Sequence, residues 1–122
     1  MEKEVFDYVA ERAETLSKSG ASKKETQEAA QAWLDAVAAD SSDAAVDAAT
    51  KVLLDYLDGR PNSIDGAIAF AKGPAVDMLG AETAAAMLEA QTARKAAGAK
   101  FCGCEACTAA SEILAKFGRV EL

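Results

Sequence analysis

Residues 43–57 read DAAVDAATKVLLDYL. Val46, Ala49, Leu53, Tyr56 and Leu57 recur three or four places apart here, so a 3.6-residue repeat sets them on one side. A half-buried strand would need strict alternation, and this stretch has none. Asp40-Ser41-Ser42-Asp43 supplies N-terminal signals before it, and Gly59, Arg60 and Pro61 stop it. A helix with one apolar face needs partners, and the flanking sequence supplies them.

Upstream, Phe6, Val9, Ala13 and Leu16 form a similar stripe in a segment from about Glu2 to Lys18, which Ser19-Gly20 closes. Ser22, with Glu25 three residues on, has the capping-box pattern and opens a second helix carrying Ala30, Trp33, Leu34 and Val37. Downstream, Ser63 caps a shorter helix with Ile64, Ala67, Ile68 and Ala71. Gly73-Pro74 breaks the chain, and Pro74 suits the first turn of another short helix ending near Leu79-Gly80. An alanine-dense helix follows from about Ala81 to Ala97, with Met87 and Leu88 as its large apolar residues, and Gly98 ends it. The last helix spans about Cys104 to Phe117 with Ala106, Ala110, Ile113, Leu114 and Phe117 inward. The expectation is an all-α, single-domain irregular bundle of six or seven helices over residues 1–122. Its core should unite Phe6, Val9, Leu16, Trp33, Leu34, Val37, Leu53, Leu57, Ile68, Leu88, Ile113, Leu114 and Phe117, with Trp33 between the first three helices.

Composition narrows the class. About a quarter of the chain is alanine, the strongest helix former. Net charge is −7, and the first 61 residues carry 13 acids against 7 bases. Nucleic acid and anionic membranes need clustered Lys and Arg, so neither is an expected partner. No apolar run approaches the ~20 residues of a membrane span. The charged opening Met1-Glu2-Lys3-Glu4 is unlike a secretory signal, and the reading is of a cytoplasmic protein with reduced thiols. The chain has no histidine, so Ser-His-Asp and Cys-His catalytic sets are excluded and the balance leans away from an enzyme.

All three cysteines lie in Cys102-Gly103-Cys104-Glu105-Ala106-Cys107. Cys104 falls at the expected start of the last helix and Cys107 one turn later, where unpaired backbone N–H groups favour ionised sulfur. Arg94, Lys95 and Lys100 precede them and add positive field, and Gly103 permits a tight path between the first two thiols. Clustered thiolates suit Zn²⁺, Cu(I) or an iron–sulfur cluster. Structural zinc takes four ligands, so Glu105, another carboxylate, water or a second subunit would complete the set, and a shared site predicts a homodimer. Two other readings compete. Cys104-x-x-Cys107 has the spacing of a dithiol redox protein or sensor, although the strand–helix alternation of a thioredoxin-like fold is absent. Cysteine is also a small buried hydrophobe, which would leave a helical protein-interaction module with structural cysteines. Sulfur geometry separates the three: converging, exposed sulfurs favour a metal, one close pair favours redox, and sulfurs pointing separately into the core favour the module. Asp40, Asp43 and Asp47 fall near one helical face, where a solvated helix start explains them better than a hard-cation site.

Three further stretches stand out together: AAQAWLD at 29–35, AIAFA at 67–71 and AGAKFCGCEAC at 97–107. Together they resemble a family of small all-helical proteins of anaerobic bacteria, some of them labelled as heat-shock or chaperone-like. The resemblance implies that Cys102, Cys104 and Cys107 form a family feature. The chaperone label does not carry over, because the chain lacks the length, sheet and glycine-rich lid of that ATPase domain. No nucleotide-binding residue maps onto it.

Overall fold

The computed structural model describes residues 1–122 and contains seven helices: α1 (Lys3–Lys18), α2 (Lys24–Ala39), α3 (Asp43–Leu57), α4 (Ile64–Lys72), α5 (Pro74–Leu79), α6 (Ala81–Ala96) and α7 (Glu105–Lys116). No strand forms, and the one β-bridge joins Ser63 to Phe101. The fold is all-α, as expected. No helix is long and apolar enough to cross a membrane.

Local chemistry accounts for most boundaries. Ser42 Oγ accepts from the Ala45 N–H at 3.3 Å, and Ser63 Oγ accepts from the Gly66 N–H at 3.0 Å, so both serines cap helix starts. Pro74 occupies the first turn of α5. The expected capping box at Ser22 does not form. Lys23 is the N-cap of α2 and offers no side-chain cap. Ser22 lies one residue outside, with its N–H turned back to the Ser19 carbonyl at 3.1 Å and its Oγ buried without a partner.

The helices sort into two packed groups. α1 packs on α2 and α7, α2 on α3, and α3 closes the ring on α7. Val9, Leu16, Trp33, Leu53, Leu57, Ile113 and Leu114 fill this four-helix core. Trp33 sits where the first three helices meet. Its Nε1–H donates to Thr50 Oγ1 on α3 at 3.0 Å, and its ring lies 5.5 Å from that of Phe6 on α1. Phe6, Leu34 and Phe117 pack partly buried against the core rather than within it.

The second group is an arm of α4, α5 and α6, which pack only on one another; none of the three packs on a core helix. Ile68 and Leu88, expected in the single core, belong to this arm and are only partly buried. The arm buries little beyond Ile64, Ala67, Ala71, Ala75 and Ala84, and alanine supplies little apolar area to hold helices together. Two connections tie arm to core, residues 58–63 and residues 97–104. They meet each other at the Ser63–Phe101 bridge.

Candidate metal centre

Gly98 adopts φ 96°, a left-handed turn that ends α6 and sends the chain back towards residue 62. The Ile64 N–H then donates to the Lys100 carbonyl at 2.9 Å, and the Cys102 N–H donates to the Asn62 carbonyl at 2.8 Å. These two bonds fix the backbone just ahead of the cysteines. Cys104 follows as the N-cap of α7, in extended conformation, and Cys107 lies in its first turn.

The three sulfurs converge: all lie within 4.8 Å of one another. Each cysteine is partly exposed, and Cys107 is the most enclosed. Backbone and amide donors surround them. The Cys107 N–H donates to Cys104 Sγ at 3.3 Å, and the Cys104 N–H points at Cys102 Sγ from 3.5 Å. On the arm side, Gln91 Nε2 reaches Cys102 Sγ at 3.8 Å, while its buried Oε1 has no partner. Such N–H···S contacts stabilise thiolate sulfur whether or not it is bound to an ion.

The pair at the helix start is polarised. A hydrogen bond from the Cys107 thiol, above all, lowers the Cys104 pKa to about 5, and backbone N–H groups of Cys107 and Ala106 add to it against partial burial. The same bond raises the Cys107 pKa, because that thiol is the donor, and burial raises it further. Cys104 is thus the thiolate of the pair and Cys107 the thiol.

The structure refines the expected roles of the neighbours. Gly103 is not in a left-handed turn; positive φ occurs at Gly59, Gly80, Gly98 and Gly118. Its reason is contact: a Cβ there would lie 2.7 Å from both Cδ and Cζ of Arg94. The Arg94 guanidinium lies over the loop backbone and donates to the Phe101 carbonyl at 3.3 Å. Lys95 is drawn away to Asp65 at 2.6 Å, and Lys100 lies 3.6 Å from Glu121. Of the three expected cations, Arg94 is therefore the one seated on the cysteine loop. Glu105 is exposed and lines a surface groove with Glu11, Glu14, Thr15 and Lys18, outside the sulfur cluster. Asp40, Asp43 and Asp47 do not assemble into a comparable cluster; Asp40 accepts from the Ser42 N–H at 3.0 Å as a turn residue.

Pattern reading missed what lies beside the sulfurs. A cleft of about 160 Å³ is bounded by the start of α2, the 60–62 turn and the first turns of α7, and Cys104 and Cys107 form part of its wall. Cys102 faces a separate groove with Arg94, Lys100 and Glu112. No protein-family model matches the chain, and no curated protein or solved structure matches it.

Proposed function

We propose that the protein binds a soft metal ion through Cys102, Cys104 and Cys107. The observation that supports this most is the convergence of the three sulfurs within 4.8 Å. Zn–S bonds of ~2.3 Å in tetrahedral geometry place sulfurs roughly 3.8 Å apart, so closure on one ion needs a contraction of about 1 Å. A [4Fe–4S] cluster gives each cysteine its own iron and so spreads the sulfurs more widely than a single ion does. A single ion such as Zn²⁺ or Cu(I) suits this centre better. Glu105 lies on another face, so the fourth donor comes from solvent, a small ligand or a second copy of the chain.

Anaerobic calorimetry on the reduced protein tests the reading. Wild type should bind Zn²⁺ with proton release, because thiol protons must leave when the ion binds. Cys104→Ser should weaken binding sharply and Glu105→Gln should leave it unchanged. If wild type and the triple Cys→Ser variant bind Zn²⁺, Cd²⁺ and Cu(I) equally weakly, the metal reading is wrong.

One observation favours a second reading. A Cys104 with a lowered pKa, accepting the Cys107 N–H at 3.3 Å, beside a Cys107 with a raised pKa is the arrangement a thiol–disulfide couple uses. Cys104 would attack an external disulfide and release one thiolate. Cys107 would then displace the second, leaving a Cys104–Cys107 disulfide. Mass spectrometry after exposure to oxidised glutathione distinguishes this outcome, since the oxidised product lacks two hydrogens.

A further inference from the structure

The cleft beside the sulfurs has a chemical bias of its own. It is bounded by Ser22, Lys23, Arg60 and Asn62 together with Cys104 and Cys107, and no carboxylate lines it. Arg60 is held in place without an acidic partner: its Nε donates to the Tyr56 carbonyl at 3.1 Å and its guanidinium sits 4.5 Å over the Tyr56 ring. That leaves its remaining N–H donors for another acceptor. Ser22 also borders the cleft, and its Oγ is buried with no hydrogen-bond partner. The 60–62 turn that carries Arg60 is pinned to the cysteine loop through the Asn62–Cys102 backbone bond at 2.8 Å, which fixes the backbone of one against the other.

We infer that this cleft receives a small mercapto-carboxylate, whose sulfur completes the coordination of the ion held by the three cysteines and whose carboxylate is read by Lys23 and Arg60. The inference rests on the soft-metal reading above. Two arguments select this class. A soft ion already bound by thiolates favours a soft fourth donor over water. A divalent ion with three thiolates already carries one net negative charge, so a further anion is admitted only where cations offset it, and here two cations border the same space. Size agrees: about 160 Å³ is well above the ~10–15 Å³ that admits a single water, leaving room for an acid of a few carbons. Binding displaces water from the ion, and the ligand's thiol proton passes to solvent.

Cobalt(II) reports each step separately, because Co²⁺–thiolate absorption shows ion binding and the visible bands respond to the fourth donor. The Co²⁺-loaded protein is titrated with 3-mercaptopropionate and, in parallel, with neutral 2-mercaptoethanol. The acid should shift the visible bands at a concentration about tenfold lower, the effect of one charge-assisted hydrogen bond. The variant with Lys23→Gln and Arg60→Gln should keep its Co²⁺–thiolate absorption but lose that preference. Equal potency of the two thiols, or a preference that survives in the double variant, overturns the ligand assignment while leaving the three-cysteine site standing. Absence of Co²⁺–thiolate absorption in wild type overturns both. A Co²⁺-loaded dimer by light scattering, silent to either thiol, gives the fourth donor to a second copy and also overturns the assignment.

Discussion

Folding moves the pKa values of Cys104 and Cys107 in opposite directions, and this has a measurable consequence for the reduced, metal-free protein. In the unfolded chain both thiols titrate near the ordinary value of about 8.5. Folding lowers the Cys104 pKa to about 5, so its stabilising effect is complete above about 8.5 and is lost as pH falls towards 5. Folding raises the Cys107 pKa, so its effect is complete below about 8.5 and declines as pH rises beyond it. The pair's contribution should peak near pH 8.5. Denaturant midpoints across pH 5–10 should show that peak in wild type, and Cys104→Ser should flatten it. Alkylation mapped by mass spectrometry gives the same ordering: Cys104 should be labelled ahead of Cys107 at pH 6. Gly103 supports a further test. Gly103→Ala places a Cβ 2.7 Å from atoms of the Arg94 side chain, which can swing away at little cost to the fold. Ion affinity should fall by up to about tenfold as the guanidinium leaves the loop, with helicity unchanged. In an Arg94→Ala background the same substitution should have almost no effect. The sequence shows Gly103 between two thiols and suggests a turn. It does not show that a side chain nine residues earlier folds back over that glycine.

At the scale of elements, caps and breakers were legible because they act locally. Ser42 and Ser63 accept N–H groups three residues ahead, as their positions imply. Ser63→Ala should cost about 1 kcal/mol by thermal or chemical unfolding. It should also loosen the Ser63–Phe101 bridge that positions Cys102. Ser22 and Glu25 show how a local pattern fails: the helix starts one residue later than the box requires, and Ser22 Oγ is left buried without a partner. Trp33 was legible for a different reason. A single large aromatic on a regular stripe has few ways to be buried, and it ends between three helices with its indole N–H satisfied by Thr50. Trp33→Ala should cost about 3–5 kcal/mol by denaturant titration. An unchanged midpoint would contradict the burial described here. Periodicity shows that a helix has an inner face but not which helix covers it. On periodicity alone Ile68 and Leu88 belong to one core, yet they lie in the arm, where alanine dominates the contact.

For the molecule as a whole, the division into core and arm sets where stability resides. The core holds nearly all the large buried side chains, and the arm holds mostly buried alanine. Amide exchange in the metal-free protein should therefore be fastest in α4–α6 and slowest around Leu16, Leu53, Leu57 and Ile113. Cys102 belongs to the connection hydrogen-bonded to the arm's base, and Cys104 and Cys107 open the last core helix. An ion bridging them joins the two groups. Zn²⁺ should slow exchange in α4–α6 more than in α1–α3, and the triple Cys→Ser variant should show no such change.

The arm lies between α3 and α7 in the chain, so the fourth core helix is separated from its partners by residues 58–104. Docking α7 closes that whole loop, and contacts of high sequence separation form slowly. α1, α2 and α3 are joined by short turns and can pair first, enclosing Trp33 before α7 arrives. Cys104 and Cys107 travel on α7, so the coordination sphere is complete only once this last helix has seated. The cysteines then act as a clock for the end of folding. In a stopped-flow refolding experiment with Co²⁺, the cobalt–thiolate band should rise after the Trp33 fluorescence change. Simultaneous appearance would show that α7 docks together with the first three helices.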